Sequence, residues 1–377
     1  QAERLEDRTL LSSPSLTSFA RIELRLDDLL VYYGFPSLIN GSAGVIATAA
    51  SKFGAYDQVV LGAGLEKTTH ADHANTVSII ANANSAATQF FGYIDLGVST
   101  SNFALTEIQT RVDEWKATGA DGIFFDDFGY DFLVSRDRQN AAVAFAHSVG
   151  LPVVANGFFV DQVFSSAVEA TFNPSGTATV LGPGDIYLSE SHQIQTNAFV
   201  SEATWLAKAN DLKTFQDSLG FDVWSITTND SADVFTQSRF DYSWFSAALY
   251  GHSATGWGEF NFSSDDNNAP FRTRPTNSLG TSFTGNPSIA SPTTSRTTNL
   301  GTIAVNTSTH VTSMTPNVSA NPTNADSLVF DVTFSEAVQN VDASDFEVTG
   351  STATGALVGS GAAYTLTVSG GDLAGLN

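Results

Sequence analysis

Two adjacent carboxylates, Asp126 and Asp127, directly follow a short apolar run at 122–125 (GIFF). An apolar run that ends in acids is typical of a core strand that reaches the active-site rim of an α/β barrel. Because side chains alternate along a strand, one aspartate should point at the barrel axis and the other away from it. The alternative interpretation is a plain strand end followed by a helix-capping aspartate.

A further acid, Glu190, ends another apolar run within YLSESHQ. Glycoside hydrolysis needs two carboxyl groups that face each other across a sugar ring, one protonated and one acting as nucleophile or base. Asp126 and Glu190 could span that gap. Other predicted strand ends add candidate substrate contacts, namely Tyr33, Tyr93, Asp95, Tyr130, Asn156, Trp257 and Glu259. No Ser-His-Asp order, phosphate loop or zinc-protease motif competes with this interpretation.

The elements that must position these residues are apolar strand-like runs that alternate with helical runs. The clearest helix is predicted at 105–118, where apolar residues recur at helical spacing and Gly119 follows; others are predicted at about 135–150 and 198–219. The strands are predicted at 29–35, 58–65, 89–96, 122–128, 152–158, 185–192, 222–229 and 254–262. Eight strands with helical crossovers predict an α/β fold of the TIM type, a closed (β/α)8 barrel at 29–262. An open doubly wound sheet is the alternative, but no Gly-rich phosphate fingerprint follows the first strand.

Composition and charge exclude several classes of function. The 377 residues include 16 Lys+Arg against 39 Asp+Glu, a formal charge of -23, which argues against nucleic acid and anionic membrane as partners. There is no cysteine, so a disulfide framework and a thiolate metal site are excluded. No apolar run approaches the ~20 residues that span a bilayer, and we expect no membrane span.

The chain outside the predicted barrel divides into three parts. Residues 1–28 are predicted to form an N-terminal arm, and 263–314 a Ser/Thr/Asn/Pro-rich linker. Residues 315–377 are β-type, because Leu328, Phe330 and Val332 alternate with less apolar residues. We expect a partial all-β sandwich there, since about 100 residues are usual for one that is complete.

The predicted barrel resembles a known group of carbohydrate enzymes. DGIFFDDFGYD, together with YYGFPS, YIDLG and the later Glu190, resembles the spherulin-4 and endo-α-1,4-galactosaminidase group of glycosidase-like barrels over about 29–262. The resemblance implies that Asp126 and Glu190 are the catalytic pair, that Asp127 is an accessory acid, and that the substrate is an amino-sugar polysaccharide.

Two further resemblances concern the flanking regions. Residues 4–12 (RLEDRTLLS) resemble the LEDRxLLS-type motif of exported planctomycete proteins, which implies export to a bacterial cell surface. SLVFDVTFSEAVQNVDASDFEVTG resembles the Ig-like repeats of large bacterial surface proteins. A strand missing from such a sandwich could be supplied by another chain, or the sequence could be a fragment of a longer protein.

Histidines and acids also cluster after the second predicted strand, at Glu66, His70, Asp72 and His73. Carboxylate and imidazole at this spacing could hold a divalent ion. Helix capping by Asp72 or Thr69 with solvated histidines is the favoured alternative, so we predict neither a metal nor a cofactor.

Two hypotheses about function remain. In one, the protein is an extracellular assembly subunit of filament or surface-layer type, a homo-oligomer joined through its arm and C-terminal β-domain. In the other, it is a secreted glycoside hydrolase that binds and cleaves an amino-sugar polysaccharide. They are compatible, because a barrel within an assembly can keep a working site.

Overall fold

The computed structural model describes residues 24–229, 235–290, 293–306, 311–317, 325–338 and 341–374. The export motif at 4–12 lies outside these residues. The strands of the first part of the chain are β1 (Asp27–Tyr32), β2 (Gln58–Leu61), β3 (Gln89–Asp95), β4 (Gly122–Asp126), β5 (Val153–Asn156), β6 (Ile186–Glu190), β7 (Ile194–Gln195), β8 (Ala198–Phe199), β9 (Asp222–Ile226) and β10 (Ala254–Gly256). All except β7 and β8 are parallel and close into one barrel, in the order β1-β10-β9-β6-β5-β4-β3-β2. The predicted (β/α)8 barrel and its eight strands are therefore confirmed.

Helices connect the barrel strands. They are α1 (Ile46–Phe53), α2 (His73–Ile80), α3 (Leu105–Thr118), α4 (Arg136–Ser148), α5 (Val160–Phe164), α6 (Glu202–Leu219) and α7 (Gln237–Tyr250). Helix α3 has the predicted bounds, and Gly119 ends it in the left-handed conformation at φ 96°. The helix predicted from 198 begins later, because β7 and β8 form a hairpin. Thr196 and Asn197 both have positive φ there, as a two-residue hairpin turn requires.

The barrel strands are buried on both faces, and their side chains alternate between the axis and the helices. Phe124 belongs to the apolar cluster inside the barrel, whereas Ile123 and Phe125 pack with the helices. Leu188 of β6 and Val154 of β5 also point inward. Burial on both faces is what a parallel barrel requires, and it explains why these strands are nearly continuous apolar runs.

The segment predicted as a linker contains an antiparallel sheet. Its strands are β11 (Ser288–Ala290), β12 (Thr293–Thr297) and β13 (Thr302–Asn306). Ile303 and Val305 of β13 are buried in one apolar cluster with Trp244 and Leu249 of α7. The sheet therefore covers an apolar face of α7, which composition alone did not predict.

The C-terminal part is also β-structure. Its strands β14 (Val311–Pro316), β15 (Ser327–Val338) and β16 (Thr354–Ser369) form an antiparallel sheet in that order. Val332, Leu366 and Val368 are the buried centre of its apolar face, together with Ala353. This sheet agrees with the predicted all-β region. Among the described residues, no helix combines the length and the apolar character needed to cross a bilayer.

Candidate active site

Strand alternation brings three polar side chains to the carboxyl end of the barrel axis. Asp126 lies two residues after the inward-facing Phe124, and Glu190 two residues after the inward-facing Leu188. Asn156 occupies the equivalent position after Val154 on β5, the strand between β4 and β6. Residues two apart on a strand share a face, so all three side chains point to the barrel interior.

The two carboxylates are joined by one amide. Asn156 Nδ2 donates hydrogen bonds to Asp126 Oδ1 at 3.0 Å and to Glu190 Oε2 at 2.8 Å. Both distances start at the same nitrogen, so these two oxygens lie no more than about 6 Å apart, near the ~5–5.5 Å separation of carboxyl groups in retaining glycosidases. The shared amide brings Asp126 and Glu190 together at one end of the barrel axis, and their role as a catalytic pair stays a prediction.

Burial and neighbouring acids raise the pKa values of two of the site's carboxyl groups, Asp126 and Asp127, towards neutral pH. Burial, followed by the negative charges of Asp127 and Glu190, raises the pKa of Asp126 to about 7. A hydrogen bond from the Tyr93 hydroxyl favours the ionised form and opposes this rise in the pKa of Asp126. Burial and the charge of Asp95 raise the pKa of Asp127 to about 6. A protonated carboxyl beside an acceptor is what general acid catalysis requires.

The backbone turns in the same way after each carboxylate. Asp127 has φ 53° and Ser191 has φ 54°, so both strands end in a left-handed residue other than glycine. Such conformations cost of order 1–3 kcal/mol and persist where the surroundings hold them. Ser191 is held by a hydrogen bond of 2.7 Å between its hydroxyl and that of Thr228. These two left-handed residues change the direction of the backbone immediately after Asp126 and Glu190.

The carboxylates line a cavity of about 180 Å³. Its walls are Asp126, Asp127, Phe132, Asn156, Gly157, Phe158 and Glu190. Sequence reasoning missed Phe132, Gly157 and Phe158, which lie beyond the observed ends of β4 and β5. The run NGFF at 156–159, directly after a strand, is the feature that could have indicated two of them.

Two of the other predicted contacts lie close to the pair. Tyr33 packs edge-on against Tyr93 at 5.4 Å between ring centroids. Burial, together with the charge of Asp126, raises the pKa of both hydroxyls, so they are hydrogen-bond donors at physiological pH. Both tyrosines pack against the apolar cluster inside the barrel, and neither is among the residues that line the cavity of the carboxylate pair.

Asp95 is committed to its own loop. Its carboxylate accepts hydrogen bonds from Gly97 N at 2.7 Å, Thr100 Oγ1 at 2.8 Å and Ser101 N at 3.0 Å. Its role in this structure is to fold the loop after β3 and to add negative charge beside Asp127.

Tyr130, Trp257 and Glu259 do not line the cavity, contrary to the sequence expectation. Tyr130 stacks on Phe172 at 5.4 Å. Strand β10 ends at Gly256 rather than near 262, so the residues beyond it no longer follow strand alternation. Trp257 packs edge-on against Phe235, and Glu259 forms a two-bond ion pair with Arg272 at 2.7 and 2.8 Å.

The acid and histidine cluster after β2 is engaged in local contacts. Glu66 pairs with Arg111 at 2.6 Å, and His73 Nδ1 lies 2.8 Å from the Leu65 carbonyl oxygen. Asp72 precedes α2 and accepts hydrogen bonds from Ser37 N at 2.8 Å and Asn75 Nδ2 at 2.7 Å. Within the described ranges, no group of three or more histidine, cysteine or acid side chains is placed to hold a metal ion.

One cation lies behind the carboxylate pair. Lys208 of α6 donates a hydrogen bond from Nζ to the backbone carbonyl oxygen of Glu190 at 2.9 Å. Burial lowers the pKa of Lys208 to about 8, against the opposing charge of Glu190. Sequence reasoning missed Lys208, because a contact across 18 residues between a helix and a strand leaves no local pattern.

No protein-family model matches this sequence, and no curated protein matches it. Solved structures with a similar fold include the glycoside hydrolase domain of PelA from Pseudomonas aeruginosa, at 12% identity and a TM-score of 0.37, covering 61% of this chain and 94% of that chain. The carboxyl transferase domain of Rhizobium etli pyruvate carboxylase is similar at 12% identity and a TM-score of 0.41, covering 63% and 40%. Dihydrodipicolinate synthase from Agrobacterium tumefaciens is similar at 11% identity and a TM-score of 0.37, covering 63% and 70%. Each of these is a similarity of fold alone.

Proposed function

We propose that this protein is a glycoside hydrolase that cleaves a polysaccharide with retention of anomeric configuration. The observation that supports this proposal is the single Asn156 amide that joins Asp126 and Glu190 at the carboxyl end of the barrel. The resulting separation suits direct attack by one carboxylate and leaves little room for a water between the pair and the sugar.

The proposed reaction has two steps. One carboxyl group of the pair protonates the glycosidic oxygen while the other carboxylate attacks the anomeric carbon, which releases the first sugar alcohol and forms a glycosyl ester. The first group, now ionised, then removes a proton from water. The hydroxide portion of that water displaces the ester, which restores both carboxyl groups. The pKa of Asp126, raised towards neutral pH, supports the first step.

The proposed substrate is an amino-sugar polysaccharide of galactosamine type, in line with the resemblance of DGIFFDDFGYD to the spherulin-4 and endo-α-1,4-galactosaminidase group. The negative charges of Asp127 and Asp95 beside the pair suit a sugar with a free ammonium group. We also propose export to the cell surface, which rests on the motif at 4–12.

The test is hydrolysis of α-1,4-linked galactosamine polymers by the full chain, with Asp126→Asn and Glu190→Gln as controls. New reducing ends should appear with the unaltered protein and fall by ~10³-fold in either variant. Proton NMR of the first product should show the anomeric configuration of the substrate. Release of the opposite anomer, or equal activity in the variants, would contradict the proposal. Azide rescue of Asp126→Ala and Glu190→Ala would assign the two roles through the glycosyl azide formed. Direct attack by azide in the variant that lacks the nucleophile gives an inverted product, whereas displacement of the glycosyl ester in the variant that lacks the acid/base gives a retained one.

A second proposal is that the chain is also an assembly subunit, with a C-terminal Ig-like domain. It is supported by the C-terminal sheet, where β14 and β16 pair only with β15 among the described residues, and by Val358 on β16, which is 68% exposed. Open edges and exposed apolar residues are features that other strands can cover. Light scattering of the full chain over a concentration series tests it: growth in mass is expected, and a constant monomer mass would contradict it.

A further inference from the structure

The catalytic cavity is too small for more than a short part of a polysaccharide. Its volume of about 180 Å³ is below the ~300–1,000 Å³ of typical ligand pockets. The rest of a bound chain must therefore cross the rim of the cavity. The side chains exposed at the rim therefore determine how the rest of the polysaccharide is bound.

One side of the rim is aromatic. Phe158 is 52% exposed and stacks on Phe132, with ring centroids 5.8 Å apart and ring planes 25° from parallel. Both rings line the cavity that contains Asp126, Asp127 and Glu190. A large apolar side chain that stays exposed beside a polar pocket is typical of a ligand-binding surface.

The turn that holds Phe132 is hydrogen-bonded to the loop after β3 and to α5. The Phe132 carbonyl oxygen accepts hydrogen bonds from Val98 N at 2.9 Å and Ser99 N at 3.2 Å. Asp131 N, in the same turn, donates to Gln162 Oε1 of α5 at 3.1 Å. A surface that is already ordered loses little conformational entropy when a ligand binds to it.

We propose that Phe158, supported from behind by Phe132, is a binding platform for the sugar unit next to the one held between Asp126 and Glu190. This inference rests on the proposed function and specifies how that site holds its substrate. The axial C–H groups of a pyranose make one of its faces apolar and weakly positive, and an aromatic face is apolar and weakly negative. Phe158 therefore favours the binding of a polymer over the binding of a single small amine. The carboxylates of the site would by themselves attract either ligand.

The chain offers a matched control. Phe159 is 53% exposed, directly follows Phe158, and does not line the cavity. Replacing either ring by alanine removes the same side chain with the same exposure from adjacent positions. Phe158→Trp keeps an aromatic face at the platform.

The experiment measures how tightly galactosamine and its α-1,4-linked tetramer bind to the full-length Glu190→Gln protein, which does not hydrolyse the tetramer. Adding Phe158→Ala should weaken tetramer binding by roughly five- to tenfold and change monomer binding by less than about twofold. Adding Phe159→Ala should leave both affinities unchanged, and Phe158→Trp should retain tetramer binding.

Three results would overturn the platform. Equal tetramer affinities for the Phe158→Ala and Phe159→Ala proteins would remove the role of Phe158. An equal loss for monomer and tetramer would place the occupant inside the cavity and make it a small amine. Absence of tetramer binding to Glu190→Gln itself would overturn the platform together with the proposed substrate, whereas hydrolysis by the unaltered protein would still stand as the separate test of the proposed function.

Discussion

Lys208 donates its Nζ hydrogen bond to the backbone carbonyl oxygen of Glu190, at 2.9 Å. A helix outside the barrel thus contributes a positive charge directly behind a carboxylate that faces the barrel axis. Burial lowers the pKa of Lys208 to about 8, so this charge is present below that pH and is lost above it. The relationship links α6 to the electrostatics of the site.

Lys208→Met should therefore move the pH dependence of hydrolysis. The Lys208 charge interacts with Glu190, so its removal makes the site more negative and should raise the pH at which the carboxylate pair reaches its working state. The acidic limb of the kcat/KM profile should shift to higher pH by up to about 1 unit, measured from pH 4 to 9. Lys208→Arg keeps the charge and is the control. An unchanged profile in Lys208→Met would show that the lysine only supports the backbone.

Asn156→Ala should reduce kcat with little effect on folding. Its amide holds Asp126 and Glu190 in register, and loss of one polar donor in an active site typically costs ~10²-fold in kcat. Steady-state kinetics on the amino-sugar polymer provide the measurement, and urea unfolding provides the control for stability. Loss of stability with unchanged kcat would make Asn156 a structural residue.

The buried aspartates should contribute less to stability as pH rises from about 4 to 7, whereas the buried His192 and His252, whose pKa values burial lowers, act in the opposite direction below about 6.5. In the folded chain, Asp126 has a pKa raised to about 7, and Asp127 and Asp28 have pKa values raised to about 6, mainly by burial. Unfolded aspartates titrate near ~3.9, so the folded state binds more protons between these values. The contribution of these aspartates to the free energy of unfolding then falls with increasing pH, because its slope follows the protons bound by the unfolded state minus those bound by the native state.

Asp126→Asn should remove part of this pH dependence. The variant carries no charge to desolvate at position 126, so at pH 8 its Tm should exceed that of the unaltered protein, by about 2–4 °C for each kcal/mol. Near pH 4 the difference between the two Tm values should be small, since Asp126 is then protonated in the folded state and about half protonated in the unfolded state. Calorimetry at pH 4, 6 and 8 checks this. A lower Tm for the variant at pH 8 would mean that the ionised Asp126 is stabilised by its hydrogen bonds.

Two glutamate-to-glutamine changes should have opposite effects. Glu259 is 4% exposed and pairs with Arg272, so Glu259→Gln should lower the free energy of unfolding by about 3 kcal/mol. Activity at a temperature well below the transition should change little. Glu190→Gln should abolish activity and leave the unfolding midpoint nearly unchanged. Denaturation and turnover measured on both proteins distinguish a structural acid from a site acid.

The sequence predicted those parts of the fold and site that follow from local periodicity. The eight strands were recognisable because parallel barrel strands are buried on both faces and read as apolar runs. Asp126, Asn156 and Glu190 were predictable because each is the last residue of such a run. Each also lies two residues after an inward-facing side chain, so its own side chain points inward.

The expectations that failed concern positions beyond the strand ends, where side chains no longer alternate between the two faces of the sheet. Trp257 and Glu259 were placed on a strand that the structure ends at Gly256, and a 3₁₀ turn at Phe260–Ser263 follows. Lys208 and Phe158 were missed for a different reason. Their contacts join elements that are distant in sequence or lie in loops, and no spacing of residue types encodes such contacts.

The sheet of β11 to β13 also bears on where this protein can be divided. Ile303 and Val305 of β13 pack with Trp244 of α7. Arg272 forms an ion pair with the buried Glu259. Ile303, Val305 and Arg272 all follow the last barrel strand in the chain. A fragment that ended with the barrel would expose the apolar face of α7 and would remove Arg272 from the buried Glu259. Such a fragment would be prone to aggregate. The smallest piece suited to expression or recombination therefore extends through residue 306.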